Sequence, residues 1–196
     1  MVKKNQPGLA ARTAASEIIW RVLIDGSYLD EAFEKTVSNY KLDHRDRGLV
    51  RAVSATTLRR LGQIKAVLDQ HMKKPLAPKH AHASCILYTA SAQILFMEVP
   101  DHAVIDLAVA QLASQRKLHH LSGLANAVLR KVASSKQQVL AEPNPGRENT
   151  PKWLWQLWAK DYGKETAAKI TNAHLGEAAL DLTLKSSDQH PAGMKL

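Results

Sequence analysis

The side chains best placed to do chemistry in this sequence are cationic. Arg47, Arg51 and Arg59 fall along one i, i+4 row, Arg45 stands beside it, and Lys3, Lys4 and Arg12 precede it near the amino end. Such groups neutralise phosphates, and each contact made steepens the fall of affinity with salt. The competing reading is a solvated helix face on which Asp43 and Asp46 are the local partners.

Other chemistries find less support. There are nine histidines, but His80 and His82, two apart on a helix, diverge by about 200° and do not chelate together. His119 and His120 are adjacent, without a nearby carboxylate. The single cysteine, Cys85, lies in CILYTASAQILF, where a thiol is expected to be a small buried hydrophobe rather than a nucleophile. With no glycine-rich phosphate loop in the sequence, no catalytic residue, metal site or cofactor is expected in this chain. What remains is recognition.

The element that must position the arginines is residues 43–72, which reads as one long amphipathic helix with a break expected at Gly62. Leu49, Val50, Val53, Thr57, Leu61, Ile64, Val67 and Leu68 share one face of it, and Arg47, Arg51 and Arg59 lie outside that face. Arg60 projects near the apolar stripe and has to snorkel. Before it, residues 9–24 carry Ala14, Ile18 and Val22 at helical spacing, and Ser27 is placed to cap a helix over residues 28–40. After it, residues 79–97 are nearly all apolar or small, as suits the central helix of a bundle. Further helices are expected over residues 102–114 and 122–140, with a basic connection, Gln115-Arg116-Lys117, between them.

Nothing in residues 1–142 reads as a strand, so six or seven helices joined by short loops predict an all-α bundle. Residues 143–150, PNPGRENT, have the composition of a linker. Residues 151–196 follow as a second, incomplete module: a Trp-rich helix holding Trp153, Trp155 and Trp158, a helix over 164–174, and a strand over 180–184.

The net charge of +9 is uneven. Residues 1–142 hold 20 Lys+Arg against 12 Asp+Glu, and residues 143–196 hold 7 against 6. A basic helical domain most simply suits a polyanion, and nucleic acid is the commonest. Aromatics are scarce in residues 1–142, which favours backbone and shape contacts to structured RNA over stacking on exposed rings.

Three segments carry a family resemblance: TLRRLGQIKAVLDQHMKKPL at 57–76, MEVPDHAVIDLAVAQLA at 97–113 and LSGLANAVLRKV at 121–132. With the order of helices, they resemble the NusB-type helical domain. That fold stands alone in the NusB antitermination factor and forms the N-terminal domain of the Sun/Fmu (RsmB-type) ribosomal RNA small-subunit cytosine-C5 methyltransferases. PKWLWQLWAKDYGKETAAKI at 151–170 is similar to the start of the second part of those methyltransferases, which the free-standing factor lacks.

The resemblance implies an RNA-binding domain that targets a methyltransferase to structured ribosomal RNA; a cytoplasmic location is expected from the sequence, in which no signal-like start and no membrane-length apolar run is read. S-adenosylmethionine and the catalytic cysteines would then belong to a downstream domain, and this chain is expected to be a piece of a longer enzyme. Of the arginine-rich motif that opens NusB-type factors, only Arg12 matches, with Lys3 and Lys4 as substitutes. Asn126 and Arg130 match family positions, and Asn126 is expected to tie helices together. Two alternatives stay open: a stand-alone NusB-like RNA-binding factor in transcription antitermination or ribosome assembly, and a structural module docking on its own catalytic domain. A homodimer through an apolar face is compatible with either. No stretch is long and apolar enough to predict a membrane span.

Overall fold

The computed structural model describes residues 6–178. Among them ten α-helices follow one another without a strand: α1 Leu9–Leu23, α2 Leu29–Ser38, α3 His44–Arg59, α4 Leu61–His71, α5 Ala81–Phe96, α6 Asp101–Ser114, α7 Ser122–Ser134, α8 Lys136–Leu140, α9 Pro145–Glu148 and α10 Lys152–Ala173. The all-α bundle expected from the periodicity is therefore what the chain forms. Lys3, Lys4 and the strand expected over 180–184 lie outside the described residues.

The axis of the bundle is α5, in which eleven of sixteen residues are buried, from Ala83 to Leu95. A helix apolar on every side can only sit inside other helices. Its small residues, Ala83, Ala90, Ser91 and Ala92, let α1, α3, α4, α6 and α7 approach closely. Two apolar clusters form around it. Ile64, Leu68, Ile86, Leu87, Leu112 and Leu129 belong to the larger, which joins α4, α5, α6 and α7. Ala14, Ile18, Phe33, Val50 and Val53 belong to the smaller, which joins α1, α2 and α3.

The helix expected to run over 43–72 is two helices. Asp43 caps the first, accepting a 2.7 Å hydrogen bond from the Asp46 amide. The axis turns at Arg60 (φ −110°, ψ 16°), two residues before the glycine expected to break it. Gly62 itself has a tertiary role: a Cβ on it would overlap the carbonyl oxygen of Glu148, so this glycine serves close backbone approach rather than flexibility. The apolar face is as expected on both halves, with Val50, Val53, Thr57, Ile64, Val67 and Leu68 all buried. Ser27 does not cap α2; its hydroxyl donates to Asp25 instead.

The proline-containing stretch after α8 forms α9 against α4. The Asn149 side chain accepts from the Gln63 amide at 3.0 Å and donates to Gln63 Oε1 at 2.9 Å. Gly146 packs on α10, where its amide donates to Asn172 Oδ1 at 3.1 Å. In α10, Gly163 adopts φ 81°, ψ 158° and divides the helix into the two halves expected on either side of it. Trp153 and Leu157 on the first half are exposed, while Arg147 lies 5.0 Å over the Trp155 ring.

Candidate nucleic-acid interface

The arginine row on α3 exists, but it has company. α2 buries Ala32, Phe33, Thr36 and Val37 and thereby turns Asp30 and Glu34 toward α3. Arg47 Nη2 stands 3.9 Å from Glu34 Oε2, and Arg51 Nη1 stands 3.8 Å from Asp30 Oδ1. The Arg51 guanidinium also lies 4.4 Å over Phe33. Such long, exposed ion pairs contribute little stability, yet they set a negative charge beside each cation. Arg45 is exposed and Arg59 half-buried. Arg60 snorkels as expected, 5.0 Å over Phe96 and donating to Gln63 Oε1.

Arg12 points inward. It is 8% exposed, its Nη1 donates to the Gly8 carbonyl at 3.3 Å, and its buried Nε has no acceptor among the described residues. Burial lowers its pKa, with Asp46 acting in the opposite sense. A Cβ on Gly8 would come within 2.5 Å of Arg12 Nη1, and Gly8 itself has φ +75°. The structure thus gives Arg12 to the start of α1 and does not bring it to the surface occupied by Arg45, Arg47, Arg51 and Arg59.

A second cationic region, which the helical-wheel reading missed, surrounds the first residue of α5. In an up-and-down bundle the connection between α4 and α5 and that between α6 and α7 lie at the same end. The contact between them is direct: the His80 and His120 rings are 5.3 Å apart, and His119 stacks edge-on against His120 at 6.0 Å. Lys73, Lys74 and Lys79 come from one connection, Arg116 and Lys117 from the other, and all five are exposed. Among the described residues none of them pairs with a carboxylate within 4.0 Å. The three histidines do not converge into a metal-holding group.

The sequence held a signal for this region. Residues 70–97 and 107–141 contain no Asp or Glu and eight Lys+Arg: Lys73, Lys74, Lys79, Arg116, Lys117, Arg130, Lys131 and Lys136. Taking these from the 20 Lys+Arg of residues 1–142 leaves 12, against 12 Asp+Glu. The entire basic excess of the bundle therefore lies in the two acid-free stretches.

Beside this region α1 and α5 present a two-ring platform. Trp20 and His82 stack with centroids 4.5 Å apart and planes 18° from parallel. The indole is half-buried and the imidazole exposed, so the platform opens to solvent on the histidine side. A cavity of about 340 Å³ next to it is lined by Ser16, Trp20, Tyr40, Ser114 and Gln115. Glu17 at its margin is already engaged, accepting from Arg21 at 2.8 Å and from the Tyr40 hydroxyl at 3.1 Å. Burial, with Glu17 adding to it, pushes the Tyr40 phenol up to about 12. Burial lowers the His82 pKa and Glu17 partly offsets it.

Cys85 is buried, and loss of solvent pushes its thiol up to about 12. A thiol so protonated is no nucleophile at neutral pH. Asn126 does not tie helices together as expected; it accepts from Arg130 Nε at 3.2 Å, one turn along the same helix. No helix among the described residues is long and apolar enough to cross a membrane.

Residues 9–134, from the first residue of α1 to the last of α7, match the NusB family. The chain belongs to that family. Its NusB segment takes in both apolar clusters and both cationic regions. The chain is also similar to proteins named ribosomal RNA small subunit methyltransferase B. It is 28% identical to that of Xanthomonas campestris over 161 residues, 82% of this chain and 36% of the relative. For Serratia proteamaculans the identity is 32% over 148 residues (73% and 33%), and for Pasteurella multocida 28% over 154 residues (78% and 34%). The chain thus spans about a third of the length of these relatives. A match covering 82% of 196 residues is longer than the 126 residues from 9 to 134 and, even beginning at Met1, reaches α10.

Proposed function

We propose that the chain is the RNA-binding part of a ribosomal RNA small-subunit methyltransferase and that the end of the bundle around His80 and His120 is the surface that meets RNA. The observation that carries this reading is the acid-free end itself: Lys73, Lys74, Lys79, Arg116 and Lys117 on two touching connections, unpaired among the described residues. Phosphates gain most from cations that have no carboxylate beside them. The Trp20–His82 platform next to them suits a base turned out of a loop or bulge, where single-strand recognition of RNA takes place. The likeness to methyltransferases that continues past residue 134 into α10 supports the enzyme context over a stand-alone factor.

In this reading methyl transfer, and with it S-adenosylmethionine, belongs to the part of the relatives' length that this chain does not span. The arginines Arg45, Arg47, Arg51 and Arg59, with Lys3 and Lys4, contribute to the general attraction of RNA rather than to its seat, and Arg12 supports the fold of α1.

The test is fluorescence anisotropy of a structured small-subunit ribosomal RNA fragment over a series of salt concentrations, with the chain and with Lys79→Glu, Arg116→Glu, Lys117→Glu combined. Losing three phosphate contacts is expected to reduce the salt slope by about 2. An unchanged affinity and slope in that variant would remove this surface from consideration.

A further inference from the structure

Beyond the connections, the acid-free surface continues down the side of the bundle into a groove between α4 and α7. It has a volume of about 360 Å³ and is lined by His71, Met72, Lys73, Lys74, Leu124, Ala127 and Lys131, with Val128 beneath them. Its composition is layered. The floor is aliphatic, with Val128 buried and Leu124 41% exposed, and the rim carries three lysines. No carboxylate lines it, and none of the three lysines is paired within 4.0 Å among the described residues.

His71 is held on the rim in a defined way. The Ser135 hydroxyl donates to the Lys131 carbonyl at 3.1 Å, so its oxygen is free to accept, and His71 Nε2 donates to it at 2.8 Å. Burial, and after it the Lys131 charge, lowers the His71 pKa. The ring therefore braces α4 against α7, and the positive charge of the rim comes from the lysines.

RNA would satisfy such a rim but has no aliphatic surface to cover Leu124 and Met72. A helix with leucines on one face and glutamates flanking them satisfies both layers at once, as amphipathic helices do when they lie in grooves between two others. We propose that the α4–α7 groove docks an acidic amphipathic helix of a protein partner, at a site that adjoins the RNA surface around His80 and His120 and shares Lys73 and Lys74 with it. Residues on the partner's apolar face would meet Leu124, Ala127 and Met72, and its carboxylates Lys73, Lys74 and Lys131.

The probe is a fluorescein-labelled peptide of about 16 residues with leucines at i, i+4, i+7 and i+11 and glutamates beside them. Anisotropy should show saturable binding to the chain. Leu124→Asp and Lys131→Glu should each weaken it about tenfold, and a peptide with alanines in place of the leucines should not bind. RNA-fragment affinity should stay within about twofold in Leu124→Asp. Leu124 is exposed, so the substitution spares the core, and Lys131→Glu leaves the floor untouched; a circular dichroism spectrum like that of the parent chain accompanies each. Equal binding of the alanine peptide, equal affinity in both variants, or loss of RNA rather than of peptide in Leu124→Asp overturns the proposal. The RNA measurement on Lys79→Glu, Arg116→Glu, Lys117→Glu stands independently, so failure of the groove and failure of the RNA surface are told apart.

Discussion

The bundle carries two cationic regions, and they differ less in how many cations they hold than in what faces them. On α3 the arginines look across at Asp30 and Glu34 of α2, while the connections around the start of α5, which carry Lys79, Arg116 and Lys117, meet each other through the rings of His80 and His120. The α3 helix reaches Phe96, the last residue of α5, through Arg60. Since α5 has 16 residues and is thus roughly 24 Å long, Arg60 stands about that far from the start of α5. Charge counted along a single helix is not the charge that a partner meets. The neighbouring element decides, and for α3 that neighbour is acidic.

The sharpest way to break this comparison is to reverse each region in turn and measure RNA affinity at about 0.1 M salt. Lys79→Glu, Arg116→Glu, Lys117→Glu should cost about 100-fold, whereas Arg47→Glu, Arg51→Glu, Arg59→Glu should cost about threefold, because two of those arginines are already half-compensated. Equal losses would make the two regions one binding surface in function, despite Asp30 and Glu34.

The next effect concerns the platform, which only one of the regions has. His82→Ala removes the exposed ring and leaves Trp20 in place. A base stacked on it contributes about 1 kcal/mol or more, so affinity should fall about fivefold. The salt slope should not move, since no phosphate contact is lost, and that split separates stacking from charge. A changed slope with unchanged low-salt affinity would mean that the ring only shapes the connection beside it.

Much of this architecture is legible in the sequence because it is written in local periodicity. The all-α class, the apolar face shared by α3 and α4, the buried α5 and the division of α10 at Gly163 all follow from spacing and from glycine. The misses share another cause. The close approach that requires glycine at position 62 is to the backbone of Glu148, more than 80 residues on, and no window around Gly62 contains it. Arg12 reads from the sequence as one of the RNA-binding cations and is buried beside Gly8. A count of aromatics in residues 1–142 does not reveal that one tryptophan and one histidine from different helices stack on each other. The acid-free runs were readable, but only as an absence of Asp and Glu in segments that become adjacent on folding.

A smaller effect would convert one region toward the other. Asp30→Asn with Glu34→Gln removes the carboxylates that face Arg51 and Arg47 while keeping their shape. RNA affinity should rise about two- to threefold, with a steeper salt slope, and stability should barely change because exposed pairs of this length contribute little. If affinity does not rise, Arg47 and Arg51 are not near the RNA at all.

The smallest expected effect is in pH. His71 on α4 and His82 on α5 lie outside the arginine row of α3, and burial lowers the pKa of each below the ordinary 6.5. As pH falls, the unfolded chain takes up protons on these rings before the folded one does. Their contribution to stability is thus complete above about pH 6.5 and is lost as pH falls through 6.5 toward the depressed folded values. Melting temperature should decline over that interval. His71→Gln, which keeps a donor toward Ser135 but does not titrate, should flatten the decline by on the order of 1–3 °C. Arg47→Gln should leave its shape unchanged, because an arginine stays charged throughout. Were Arg47→Gln to flatten the curve as much as His71→Gln, the pH response would come from the overall charge of the molecule, and the two regions would not differ in this respect.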